Sequence, residues 1–250
     1  MAQTASQSPP NGARLVRFLS GLNLGKAETR PTPFTERLAQ LIDLPDSILI
    51  LDTHGKLSNM EFASVPVAGK SVQQLFLQTQ AAIIESIVKS FSPNRELSRL
   101  KRPVPLDTAP SDAALTRDAY VKFYAAHQRQ IDLKVQKLQA QVRDVASGLS
   151  PRLSQLAALD TVLGDTLSLY SRNALGVLPK LVAQRFDDTL NEYNAAQNRP
   201  PSPDAHWTPL LNRYLGELQE MLLAETETRL LPILGLIETI NEDADHNEYE

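Results

Sequence analysis

The side chains of this chain that could do chemistry are few, and most stand alone. The four histidines are His54, His127, His206 and His246. No two of them share a helix face at metal-ligand spacing, so no metal site is expected. There is no cysteine, which removes disulfides, thiolate metal sites and cysteine nucleophiles. Neither a G-x-S-x-G elbow nor an H-E-x-x-H helix occurs. Gly69-Lys70-Ser71 stands before an apolar-periodic stretch, like the end of a phosphate-binding loop. That loop needs a further glycine where this chain has Ser64, and a strand in front. Without the glycine the backbone cannot turn tightly enough to aim its N–H groups at a phosphate. Ser71 is then read as a helix cap. Asp243-Ala244-Asp245-His246-Asn247 has the spacing that opens a calcium loop but lacks the glycine after Asn247. It reads as a charged tail. No catalytic residue, cofactor or metal is assigned.

Charged residues within apolar stretches are the next candidates. Asp160 and Asp165 lie in one such stretch, and Glu225, Glu227 and Arg229 in another. Glu225 and Arg229 form an i,i+4 pair on a helix. A buried Asp160 paired with Arg172 or Arg229 would be a structural ion pair fixing helix register. A carboxylate pair built from Asp160 and Glu225, as in a nuclease, is the catalytic alternative.

The net charge is −4, but it is unevenly placed. Residues 1–150 hold 18 Lys and Arg against 13 Asp and Glu, whereas residues 151–250 hold 7 against 16. The window 86–143 holds 11 basic and 5 acidic residues, with Tyr120, Phe123 and Tyr124 among them. Candidate phosphate contacts are Arg95, Arg99, Lys101, Arg102, Lys122, Arg129, Lys134 and Lys137. The isoelectric point near 5.6 argues against a general affinity for nucleic acid.

These residues must be positioned by helices. Leu and Ala dominate the apolar set and only 10 of the 250 residues are glycine, which favours helix over a turn-rich sheet protein. The expected fold class is all-α: a helical bundle of long helices with a smaller N-terminal helical module. Residues 1–11 are polar, with two prolines and nothing to bury. The N-terminal module spans 12–91. It contains a short amphipathic helix at Ala13–Leu22, a helix opened by Thr32-Pro33, and a strong helix from Val72 to about Phe91. Ser47–Leu51 fits either a lone strand or a short buried helix. Residues 92–111 form a proline-rich basic linker. The C-terminal bundle spans 112–241, and the acidic tail spans 242–250.

Within the bundle, Ser111 or Asp112 starts a long helix. Its later part repeats Ile131, Val135, Leu138, Val142, Val145 and Leu149 at 4-3-4-3-4 spacing. That heptad seam suits either packing inside the bundle or an interface with a partner. Pro151 opens the next helix, Gly176 and Pro179 interrupt it, and a final helix runs from about Pro209 to Asn241. No apolar run is long enough to span a bilayer. The polar start MAQTASQSPPNGA lacks the apolar core of a signal peptide, so a cytoplasmic setting is expected.

The chain also resembles a known family. The matching residues are Leu156, Ala157, Ala158, Leu159 and Asp160; Arg172, Pro179, Arg185 and Phe186; Leu222 through Arg229; and Leu231, Pro232, Gly235 and Leu236. Arg14, Leu15 and Val16, and Phe34 through Leu38, fit as well. They resemble an uncharacterised proteobacterial family of unknown function whose genes accompany a large membrane protein with a coiled-coil tail and an OmpA/MotB-like partner. That gene set is similar to the Zorya class of antiphage defence systems. The resemblance implies a non-enzymatic cytosolic accessory or effector subunit acting through protein–protein interaction. Its partners would be the other subunits of the system, and a homo-oligomer is open. The alternative is a nucleic-acid-binding effector using the basic segment 95–143.

Overall fold

The computed structural model describes residues 12–22, 44–57, 62, 71–92, 99–104, 108–197 and 206–247. Among these residues the regular elements are all helices. They are α1 (Gly12–Gly21), α2 (Leu44–Leu57), α3 (Val72–Phe91), α4 (Ala113–Leu149), α5 (Pro151–Leu175), α6 (Leu178–Gln197) and α7 (Trp207–Asn247). The fold is therefore all-α. No helix of the described residues is long and apolar enough to cross a membrane.

The helices begin where short polar side chains can take over orphan amides. Ser71 Oγ accepts from Gln74 N at 3.2 Å, which starts α3. Asp112 Oδ1 accepts from Leu115 N at 2.9 Å and starts α4. Ser150 ends α4 and caps α5, its Oγ accepting from Leu153 N at 3.2 Å, with Pro151 at the first helical position. One residue thus joins two long helices. Gln139 and Arg143 of α4 both reach Asp160 of α5, so the pair folds back as an antiparallel hairpin. Gly176 separates α5 from α6, its N–H bonding Arg172 O at 2.8 Å. A Cβ there would lie 2.8 Å from that same carbonyl oxygen, so the turn requires glycine.

The two longest helices form the spine. α4 packs against α3, α5, α6 and α7, while α7 also receives α1, α3 and α6. α3 runs antiparallel to α4, since Ser90 meets His127 and Lys134 meets Ala82. α6 is antiparallel to α7, with Arg185 on Glu217 and Tyr193 against Trp207. α4 and α7 run the same way: Tyr120 meets Tyr214, Tyr124 meets Glu225, and Asp132 meets Arg229. Edge-to-face rings of Tyr120, Phe186, Trp207 and Tyr214 fill the junction of α4, α6 and α7. The N-terminal helices join the same core: Leu15 of α1 and Ile83 and Ile87 of α3 are buried with Val142, Phe186 and Leu218. α2 lies on α5.

Several expectations change in detail. Ser47–Leu51 is helical, within α2, but it is no buried helix, because Ile48 and Leu51 are exposed. α7 does not stop at Asn241 but continues to Asn247, passing through Pro232. Proline has no N–H for the carbonyl one turn back, yet the exposed Pro232 leaves the packed face of α7 unbroken. The readings of residues 1–11, of the Thr32-Pro33 helix and of Gly69-Lys70 lie outside the described residues. Ser71 of that motif serves as the α3 cap.

Candidate functional site

A carboxylate buried in a helical core is costly unless its oxygens are all met. Glu225 of α7 is 0% exposed. Tyr124 Oη donates to its Oε2 at 2.9 Å. Gln128 Nε2 lies 3.1 Å from both oxygens. Arg229, one turn on, donates from Nε to Oε1 at 2.9 Å. Burial, and then the Glu225 charge, push the Tyr124 hydroxyl well above its usual pKa, so it stays a proton donor. Gln128 Nε2 also donates to Leu175 O at 3.1 Å, which ties the end of α5 to the cluster. Arg229 Nη1 then passes to Asp132 Oδ1 at 2.8 Å, and Gln136 Nε2 holds the other oxygen of Asp132 at 2.9 Å. Four polar side chains of α4 and two of α7 form one connected network.

Above this network a surface cleft of about 130 Å³ opens between α4, α7 and the α5–α6 turn. It is lined by three arginines, Arg129, Arg172 and Arg229, with Gln128, Asp132, Leu175 and Gly176. Arg229 is fixed by Glu225 and Asp132. Among the described residues, Arg172 hydrogen-bonds only the Ser168 hydroxyl, from Nη2 at 3.1 Å. Arg129 is exposed and has no hydrogen-bond or ion-pair partner among the described residues.

A second polar contact has the residue types of a nucleophile and its base. Ser90 Oγ and His127 Nε2 are 2.9 Å apart, and both residues are buried. The geometry is structural. Ser90 Oγ donates to Ile87 O at 2.7 Å, so its proton points at its own helix and the imidazole N–H can donate to it. Phe91 and Phe123 pack against the His127 ring. Burial, and then the charge of Lys134, lower the His127 pKa to about 4. The ring is neutral at pH 7 and only 1% exposed. The sequence carried no sign of this pair, because Ser90 and His127 belong to different helices and meet only through antiparallel packing.

The candidate ion pairs are placed as follows. Glu225 and Arg229 pair with each other. Asp160 pairs with neither Arg172 nor Arg229. Its partner is Arg143, with Nε donating to Oδ2 at 2.7 Å and Nη2 to the Asp160 carbonyl at 2.7 Å. Gly164 makes room for it: a Cβ there would sit 2.7 Å from Arg143 Nη2. Asp160 and Glu225 occupy separate clusters with separate partners, so the geometry assembles no carboxylate dyad from them. No group of three or more metal-ligating side chains occurs among the described residues.

The heptad seam is turned inward. Ile131, Val135, Leu138 and Val142 are buried in the chain's own core, and Val145 packs against it. These positions are closed to a partner while the bundle is intact; of the six, Leu149 alone is exposed. The basic residues do not form one face. Arg99 lies close enough to Lys134 to depress its pKa, after burial, and Lys134 Nζ is bound to Ala82 O at 3.1 Å. Lys101 and Lys122 flank an apolar cleft with Leu100, Pro103 and Phe123. Arg129 faces the arginine cleft. Lys137 is exposed, Arg102 is half-buried, and Arg95 lies outside the described residues.

One apolar row has no cover from the described residues. Leu77, Ala81, Ile84 and Val88 follow each other at 4-3-4 spacing along α3. All are exposed, Leu77 at 55%, Ile84 at 39% and Val88 at 46%. The periodicity of α3 is broad enough to hide this second row beside the core-facing one of Phe76, Ile83 and Ile87.

Compared with known proteins, residues 1–242 match a family model described as a protein of unknown function (DUF3348). No curated protein and no solved structure matches.

Proposed function

Since the chain belongs to the DUF3348 family, we propose that it is a non-enzymatic helical subunit that works by binding another protein. The observation that carries this reading is the exposed row Leu77, Ala81, Ile84 and Val88 on α3. Its 4-3-4 spacing is that of a coiled-coil seam, and an apolar row of this kind is covered most readily by another helix. The resemblance to accessory subunits of Zorya-type systems supports the finer reading. In that reading the partner is another subunit of an antiphage defence complex, and the chain works in the cytosol.

The test is co-expression of the tagged chain with the motor-like and OmpA/MotB-like proteins of a Zorya-type system, followed by affinity capture and size-exclusion chromatography. A stoichiometric complex that Leu77→Glu with Ile84→Glu abolishes, with helicity unchanged, supports the reading. A complex indifferent to both substitutions, or no complex at all, refutes it. Absorbance at 260 nm in the same peak addresses the alternative of a nucleic-acid-binding effector. That alternative is weaker, because the basic residues of segment 95–143 face several directions instead of lining one strip.

A further inference from the structure

From the cleft over the Glu225 network we infer a binding site for a phosphate group, held by Arg129, Arg172 and Arg229. The inference does not rest on the protein-interaction reading. Three arginines line one small cleft, with Asp132 as the one carboxylate among its lining residues. Arg229 is balanced by Glu225 and Asp132, which leaves the charges of Arg129 and Arg172 without a carboxylate partner among the described residues. An anion between them would supply the missing partner. Arg229 is already fixed in place through Glu225 and Asp132, so it loses little freedom on meeting a ligand. Arg172 and Arg129, one held by a single hydroxyl and the other without a partner among the described residues, have donors to spare. A cleft of about 130 Å³ matches a phosphate with its first bridging atom and not a whole nucleotide. The planar forks of arginine suit the oxygens of a phosphate in pairs.

The phosphate could be free or the end of a phosphomonoester, and calorimetric titration of the full chain at fixed ionic strength separates the two. Inorganic phosphate is one titrant and phenyl phosphate the other. Saturable heat from the first identifies free phosphate, and saturable heat from the ester alone identifies an esterified one; either supports the site. Arg129→Gln and Arg172→Gln alter exposed side chains and should leave far-UV dichroism unchanged. Each is expected to weaken binding about tenfold, the loss of one charge-assisted pair of hydrogen bonds. No saturable heat from either titrant up to about 10 mM overturns the proposal, since weaker contact carries no specificity. So does equal binding by the folded Arg129→Gln and Arg172→Gln variants.

Discussion

At the scale of single residues, the buried charge of Glu225 decides most. Its oxygens are met by Tyr124, Gln128 and Arg229 at 2.9–3.1 Å, and the residue is 0% exposed. Arg229→Ala is expected to cost about 3–5 kcal/mol, the usual penalty for orphaning a buried charge. Replacing Glu225 and Arg229 together with leucine and methionine should recover only part of that loss, because the buried Tyr124 hydroxyl then lacks its acceptor. Urea denaturation of the single and double variants measures both. His127 sets the response to acid. Its folded pKa of about 4 lies below the ordinary histidine value of 6.5. Between those values the unfolded chain binds a proton that the folded chain refuses, so stability falls as pH drops through this window. The contribution approaches about 3 kcal/mol at the lower end. Denaturation midpoints measured between pH 7 and pH 4.5 should decline less steeply in His127→Gln than in the parent. Of these two residues, Glu225 was legible from its spacing to Arg229, since an i,i+4 pair is local. The roles of Tyr124, of His127 with Ser90, and of Arg143 with Asp160 were not, because each depends on which helices become neighbours and in what register.

At the scale of elements, Ser150 carries two duties in one position. It closes α4 and caps α5 through its hydroxyl. Ser150→Ala leaves the Leu153 amide without its acceptor, and the expected cost is about 1 kcal/mol. Thermal unfolding should shift down by roughly 2–4 °C for a chain of this size. Helix starts and stops were the most legible part of the fold, because Ser71, Asp112, Ser150, Pro151 and Gly176 act through atoms within four residues of themselves. The heptad seam shows the opposite case. Its 4-3-4-3-4 spacing marks a packed face but cannot say whose face it packs against, and here Ile131, Val135, Leu138 and Val142 serve the interior. The exposed row on α3 went unread for the same reason. In a helix as apolar as Val72–Phe91, burial of one row and exposure of the next depend on the neighbours α4 and α7.

At the scale of the whole molecule, one core joins both ends of the chain. Leu15 near the start and Ile240 near the end belong to it. The division between an N-terminal module and a C-terminal bundle makes a testable contrast. Trp207 is the single tryptophan and is buried against Phe186 and Tyr193, so its fluorescence reports the α6–α7 end. Far-UV dichroism reports every helix. With a shared core, the two signals should follow one coincident transition in urea. A separate loss of ellipticity before the fluorescence change would mean that α1–α3 melt alone. The composition announced helices, but it could not announce that α3 packs against both α4 and α7, since those contacts join residues far apart in the chain.

The single-residue joint at Ser150 also bears on the order in which the protein assembles. Closing α4 on α5 constrains almost no chain, whereas bringing Glu225 to Tyr124 closes a loop with a separation of 101 residues. The hairpin is therefore expected to be present in the folding transition state and the Glu225 cluster to form after it. In stopped-flow kinetics, Ala157→Gly in the hairpin should slow refolding, while Arg229→Ala should chiefly hasten unfolding. The costly burial of charge would then come last, after apolar packing has fixed the site that receives it.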